Sequence, residues 1–425
     1  MGTVIRNIRP LAGDSESLTV RVDGSEISTV STGTLPSQPA DAVIDANGSP
    51  VLGGWVNAHT HLAMVLFRGL ADGVPLDVWL KDHVWPIEQQ LEPQDVYWCT
   101  LLALAEAIRG GTTCVADMYF HCDEVVRAIE ESGVRGVVSY GMIATSLDAR
   151  GRSELKTAEQ LIRRWDGTAG GRIRVAVSPH AVYTCGKDVW REAIALARDQ
   201  GVLLHTHLSE TRQEVADWRE KTGLSPVQYL EELGAFENPA IAAHCVHVNA
   251  NEIDILARNG VAVAHCPKSN AKLGSGIAPV RALRRAGVLV VLGTDGAASN
   301  NRLDMVEELR MACLLQRASD EDPNGLSAHE AVLMASDAGR CALGLPAAGL
   351  VPGDAADLVL FDVERPHLTP PHDPEPMLTF ALGASDVSDV IVDGRVLMRS
   401  GELLTIDEKR VQSEVSRLFR RLRPT

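Results

Sequence analysis

His59-Thr60-His61 closes the apolar run Val51–Ala58, and two histidines at i and i+2 on an extended segment point to the same side. Imidazole nitrogens held that way can grip one borderline-soft divalent cation, zinc above all. His207, Glu210, His244 and Asp295 each stand just beyond another short apolar run. Three imidazoles (His59, His61, His207) and one carboxylate (Asp295) can hold an ion and leave a position for water, which separates a catalytic site from a closed structural one. A cation so held lowers the pKa of its water from ~15.7 to ~7. Asp295 could touch both the metal and that water as a proton acceptor, and His244 could hydrogen-bond the nucleophile and stabilise charge. Glu210, three residues past His207, could protonate a substrate. Plainer readings exist for each. Asp295 follows Gly293-Thr294 and could merely cap a helix. His205 shares a strand face with His207 and could replace it, although His207 lies nearer the strand's end. His265, before Cys266-Pro267, reads as a supporting residue rather than a ligand.

The elements around these residues explain why they could meet. Short β-branched runs recur at Val51–Ala58, Thr112–Ala116, Gly136–Tyr140, Ile173–Ser178, Val202–His205, Ala240–His244, Val261–His265 and Val288–Gly293. Amphipathic helical patterns lie between them, among them Gln94–Ile108, Lys187–Arg198, Asn251–Arg258 and Pro279–Ala286. Such alternation predicts an α/β fold, a (β/α)8 TIM-like barrel whose parallel strands are buried on both faces. A doubly wound open sheet is the alternative, but it usually carries a Gly-rich turn after its first strand, where this chain has histidines. In barrels the chemistry sits at the C-terminal strand ends. His59, His61, His180, His207, Glu210, His244 and Asp295 all fall there, a shared rim that the plainer readings leave unexplained. The end of the fourth strand, Val175 to His180, offers no lysine to bridge two ions, so one metal is expected.

Residues 14–55 and 350–405 read as β-rich, and a small β-sandwich built from both termini is expected: 1–55 with 347–425, around a barrel of 56–346. Glu408–Leu422 has helical spacing. The 425 residues, 45% hydrophobic and 23% charged, are enough for a large core, and a net charge of −16 argues against nucleic acid or an anionic membrane as partner. Eight scattered cysteines without a Cys-x-x-Cys pair read as reduced core thiols. With no signal-like stretch in Met1–Ala12 and no run of ~18–20 apolar residues, the expected location is cytoplasmic.

Several strings, in order, carry a resemblance: Gly54-Trp55-Val56-Asn57-Ala58-His59-Thr60-His61, Ala116-Asp117-Met118-Tyr119, Ser178-Pro179-His180-Ala181-Val182-Tyr183, His207-Leu208-Ser209-Glu210-Thr211, Ala243-His244-Cys245-Val246-His247, Asn270 to Pro279, and Leu292 to Asn301. The chain resembles the amidohydrolase superfamily, in the branch of methylthioadenosine/S-adenosylhomocysteine deaminases and s-triazine chlorohydrolases. The resemblance implies one divalent ion, zinc or sometimes iron, on His59, His61, His207 and Asp295, with Glu210, His244 and Asp295 catalytic. It implies further that Glu88 holds ribose hydroxyls, that Trp79 forms an apolar wall, that His180 contacts the nucleoside, and that Arg152 lies near the substrate's tail. The implied reaction is hydrolytic deamination of an adenine nucleoside; a chlorohydrolase or a deaminase of a free base (guanine, 8-oxoguanine, pterin) is the rival, and a non-catalytic barrel the distant one. A homo-oligomer is the implied assembly. One departure matters: Tyr140-Gly141 stands where some members place an arginine before the glycine. A phenol lacks the bidentate donors an arginine offers a carboxylate, which puts S-adenosylhomocysteine in doubt as substrate.

Overall fold

The computed structural model describes residues 2–11, 16–39 and 41–422. Near the N-terminus, β1 (Gly2–Ile8), β2 (Leu18–Asp23), β3 (Glu26–Ser31) and β4 (Ala42–Asp45) form a sheet in the order β3-β2-β1-β4. A short β5 (Val51–Leu52) leads into β6 (Trp55–Thr60). There follow β7 (Thr112–Tyr119), β8 (Arg135–Met142), β9 (Ile173–Pro179), β10 (Leu203–Leu208), β11 (Ala240–His244), β12 (Ala262–His265) and β13 (Val290–Leu292). These last eight, β6 to β13, lie side by side in chain order, and every recorded pairing among them is parallel. Helices separate most of them, including Pro93–Arg109, Lys187–Gln200 and Ala250–Arg258. The chain closes with β14 (Leu358–Phe361), β15 (Val387–Val392), β16 (Arg395–Arg399) and β17 (Glu402–Leu403), then helix Glu408–Leu422.

The expected barrel is therefore present. The seam between its first and last strands is stitched by side chains. Asn57 Nδ2 donates to Thr294 Oγ1 (2.7 Å), Thr294 N donates to Asn57 Oδ1 (3.0 Å), and Asp295 N donates to the His59 carbonyl (3.0 Å). Gly293 is required at this approach, since a Cβ there would sit 2.8 Å from the His59 carbonyl oxygen. Small side chains contributed along the sheet, such as Val56, Ala116, Val137, Ala176, Ala264 and Val291, form one core cluster, while a larger cluster packs the helices.

One expected strand needs correction. Val51–Ala58 is not continuous: Val51–Leu52 pairs with β14 in a second sheet, ordered β17-β16-β15-β14-β5, and only Trp55 onward enters the barrel. Gly54 makes the break. Its φ is +77°, and a Cβ would lie 2.2 Å from Thr113 Cγ2. Both pieces are buried, so hydrophobicity alone reads straight through the turn. The two smaller sheets face each other across Ile5, Ile8, Val20, Val22, Leu358, Leu360 and Ile391, the sandwich expected from both chain ends.

Sandwich and barrel are joined by a buried charge cluster. The Asp357 carboxylate, just before β14, accepts from Arg135 Nε (2.6 Å) and Nη2 (3.0 Å), from Arg340 Nη2 (2.6 Å) and from the Asp393 amide (2.7 Å). No cysteine among the described residues is paired; seven are buried and Cys341 is exposed. Among the described residues no helix is long and apolar enough to cross a membrane.

Candidate active site

His59 lies at the end of β6 and His61 just beyond it, His207 lies near the end of β10, and Asp295 follows β13. One ligand atom from each lies within 4.8 Å of the others. The backbone fixes how the rings point. His61 Nδ1 donates to the Met118 carbonyl (2.6 Å) and His207 Nδ1 to the His180 carbonyl (2.9 Å). With both Nδ1 hydrogens committed, each Nε2 presents a bare lone pair, and the two Nε2 atoms stand only 3.2 Å apart. Facing lone pairs repel unless a cation lies between them. Bonds of ~2.0–2.1 Å to a tetrahedral zinc give a ligand–ligand edge of about 3.3 Å, so the spacing suits that ion. His59 Nδ1 meets His205 Nε2 at 2.9 Å, and its Nε2 is a buried nitrogen without a protein partner, 3.6 Å from Asp295 Oδ1. His205 thus braces His59 from behind rather than joining the cluster. The donor set and the orphaned nitrogen both fit a metal ion.

Asp295 is oriented by two hydroxyls. Ser269 and Ser299 both donate to its Oδ2 at 2.7 Å, leaving Oδ1 for the imidazoles, 3.2 Å from His61 Nε2. Burial works against the charge, yet the imidazoles of His59 and His61 beside it pull the Asp295 carboxyl well below the usual range. Local backbone strain recurs here. His244 (φ 74°), Asp295 (φ 60°) and Ser209 (φ 51°) are non-glycine residues in the left-handed region, worth about 1–3 kcal/mol each and typical of functional sites.

Glu210 and His244 face each other, with Oε2 and Nε2 3.8 Å apart. Burial pushes the Glu210 carboxyl up, tempered by the neighbouring His244. Its loop is clamped by Glu214, which accepts from the Ser209 amide (3.2 Å) and the Glu210 amide (2.7 Å). Behind His244, Nδ1 meets Asn270 Oδ1 at 2.8 Å.

A cavity opens beside this group, lined by His61, His207, Asp295, Glu210, His244, His180, Glu88 and Trp79 among others. Short helical turns spanning Leu76–Val78, Trp79–Val84 and Trp85–Glu88 bring the last two residues over it. Trp79 is buried, and its indole nitrogen donates to the Leu70 carbonyl (3.0 Å). Glu88 Oε1 accepts from the Tyr119 hydroxyl (2.6 Å), and burial raises the Glu88 carboxyl above its ordinary value despite that bond. His180 is held at Nδ1 by Thr184 Oγ1 (3.2 Å). A second hollow adjoins the first through Trp85, Glu88, Tyr119, Phe120 and Ile143, and its wall includes Tyr140 and Arg150. Arg152 is not brought to either: it is exposed on helix Ala149–Trp165 and lines neither hollow. The structure adds Tyr119, Ser269, Asn270, Ser299 and Glu214. All except Ser269 and Glu214 lie within the strings quoted from the sequence, yet nothing in their type or spacing announces a contact.

Residues 51–397 match the Amidohydrolase family. A 5-methylthioadenosine/S-adenosylhomocysteine deaminase of Pelotomaculum thermopropionicum is 46% identical over 89% of this chain and 87% of its own length. A 5′-deoxyadenosine deaminase of Methanothermobacter thermautotrophicus is 45% identical over 94% of this chain and 93% of its own. Among solved structures, an adenosine deaminase from Xanthomonas campestris with bound zinc superposes with a TM-score of 0.92 at 34% identity, covering 99% of this chain and 98% of that one. An atrazine chlorohydrolase of Arthrobacter aurescens complexed with zinc gives 0.91 at 26% identity, covering 98% and 100%. Barrel, donor cluster and likeness along nearly the whole length agree, and the chain belongs to the amidohydrolase family.

Proposed function

We propose that this protein is a metal-dependent hydrolytic deaminase of adenine nucleosides, releasing ammonia and the inosine analogue. Its relatives' names support that reading. The observation that carries it is Glu88, a carboxylate held by Tyr119 on the wall of the cavity that also contains Glu210, His244 and Asp295. A ribose presents such a group with two vicinal hydroxyl donors, a diol that a free base lacks.

His59, His61, His207 and Asp295 would hold the ion, zinc or alternatively iron, which when bound acidifies water to a nucleophile near pH 7. Glu210, its carboxyl raised by burial, protonates N1 of the purine as C6 is attacked. His244 hydrogen-bonds the attacking group, and Asp295 takes that group's remaining O–H proton through Oδ1, because two serines occupy Oδ2, and passes it to the departing amine. Glu88 takes the ribose hydroxyls, Trp79 walls the base and His180 contacts the nucleoside. The unpaired cysteines suit a reducing compartment, and a cytoplasmic location is part of the proposal.

The adjoining hollow is the proposed seat of the 5′ substituent. Its arginines are already engaged: Arg150 Nε meets Glu154 Oε1 at 3.0 Å and Arg164 Nη1 meets Asp123 Oδ2 at 3.0 Å. Tyr140, where an arginine could stand, is a neutral phenol whose pKa burial pushes up to about 12. An uncharged 5′-methyl or methylthio group is therefore favoured over an amino-acid tail. The test is a steady-state screen, by ultraviolet change and ammonia release, of 5′-deoxyadenosine, methylthioadenosine, S-adenosylhomocysteine, guanine and a chlorotriazine. Methylthioadenosine should exceed S-adenosylhomocysteine at least about tenfold in kcat/KM, the worth of roughly 1.4 kcal/mol. A metal-replete protein that turns over no 6-aminopurine nucleoside would end the proposal.

A further inference from the structure

His244 is a bifunctional ring whose behaviour depends on which nitrogen bears hydrogen. In a neutral imidazole one nitrogen donates and the other accepts, and the partner of the outer nitrogen decides which. Here the outer nitrogen, Nδ1, meets the side-chain oxygen of Asn270 at 2.8 Å, and an amide oxygen can only accept. Nε2, on the opposite edge, faces the cavity and Glu210. Both partners are buried, His244 1% and Asn270 0% exposed, so no solvent competes for the bond.

We infer that Asn270 is a positioning residue that holds His244 with its hydrogen on Nδ1, so that Nε2 enters the cavity as an acceptor. An acceptor at that place receives a hydrogen bond from the O–H of the attacking water and turns the oxygen's lone pair toward the purine carbon. The same short helix, Pro267–Lys272, also carries Ser269, which donates to Asp295 Oδ2. Adjacent residues of one helix thereby orient two of the groups assigned to proton movement. That helix is pinned to its neighbours. The Lys268 amide donates to Glu308 Oε2 (3.2 Å), and Lys272 Nζ donates to the Ala298 carbonyl (3.0 Å). Asn270 Nδ2 has no protein partner, so exchanging the amide for a carboxylate sacrifices no other bond.

The inference rests on the deaminase reading, and the experiment separates the two. Asn270→Leu, Asn270→Ser and Asn270→Asp are compared with the unaltered protein on whichever adenine nucleoside it deaminates, with metal content measured for each. Leu removes the acceptor at similar volume, Ser stays polar but falls short of Nδ1, and Asp restores an acceptor-only atom. Asn270→Leu should lose about 10- to 100-fold in kcat, the usual cost of removing an orienting partner, with KM within about threefold and metal content unchanged. Asn270→Asp should recover to within about fivefold of the unaltered protein. If Asn270→Leu does not fold, Asn270→Ser takes its place with the same expected loss. An Asn270→Asp protein as impaired as the Leu or Ser variant overturns the inference, because the amide would then be acting through its nitrogen. So does a Leu or Ser variant of undiminished kcat. If the unaltered protein deaminates no nucleoside, it is the deaminase reading that fails.

Discussion

Glu88→Gln tests the nucleoside reading most directly, because Tyr119 dictates what the substituted side chain can do. The Tyr119 hydroxyl donates to Glu88 Oε1 at 2.6 Å, leaving Oε2 and a second lone pair on Oε1 for two ribose hydroxyls. In the glutamine variant the same hydroxyl claims the amide oxygen and turns the NH2 group toward the sugar. The Oε2 acceptor becomes a donor, and the amide oxygen keeps one lone pair for the diol but without the negative charge. Hydrogen bonds to a charged group are worth ~1.5–3 kcal/mol each, while the neutral bonds left at the amide oxygen and made by the amide nitrogen are worth about 1 kcal/mol each. The net loss is roughly 1–4 kcal/mol, which corresponds to about 5- to 1000-fold in kcat/KM. The assay is initial-rate deamination of methylthioadenosine, monitored in the ultraviolet, beside any free base the protein accepts. Tyr119→Phe releases the amide, so the double variant Tyr119→Phe/Glu88→Gln should regain part of the loss relative to Glu88→Gln alone. A Glu88→Gln protein within threefold of the unaltered one would refute the ribose role and favour the free-base or chlorohydrolase rival.

Glu210→Gln should retain its metal, measured by atomic emission, and lose about 10²–10⁴-fold in kcat, the range of a general acid. Asp295→Ala should lose both metal retention under dialysis and turnover, since the proposal gives Oδ1 both the ion and the proton; an unchanged rate would contradict that double use. Asp357→Asn should destabilise the first unfolding transition in urea by ~3–5 kcal/mol, because it removes the countercharge of Arg135 and Arg340, whose side chains are 4% and 3% exposed. The Asp357 carboxyl is shifted below its ordinary value: burial opposes this, but the bonds from Arg135 and the charge of Arg340 prevail. Its contribution is therefore complete above the unfolded carboxyl's pKa of ~3.9 and is lost as pH falls further, so the gap between the Asn variant and the unaltered protein should close only in strong acid.

Much of the fold was legible because its signals are local. Each barrel strand is a short β-branched run, and Lys187–Arg198 reads as a helix from its apolar spacing alone. The misread strand Val51–Ala58 shows the limit, since a turn between two buried pieces leaves hydrophobicity unbroken. His59, His61, His207 and Asp295 could be grouped from the sequence because strand ends of a parallel barrel share one rim. Which oxygen of Asp295 is free, or which nitrogen of His244 faces the cavity, could not be read. Those depend on Ser269, Ser299 and Asn270 meeting partners across the barrel, and such residues look like ordinary turn and helix polar groups in one dimension. Arg152 and Arg150 illustrate the same point. They lie two positions apart on a helix, about 200° around its axis, so naming the tail-facing one needs the helix's rotation, not its sequence.

The Asn57–Thr294 stitch makes chemical competence depend on closing the chain over a long sequence distance. His59 leaves the ribosome long before Asp295, and 235 intervening residues must be arranged before the ring can shut. Until it shuts, the carboxylate is absent from its imidazole partners and the half-made pocket has only neutral donors to offer a cation. A nascent or partly unravelled chain is thereby kept from doing hydrolysis on the nucleosides around it.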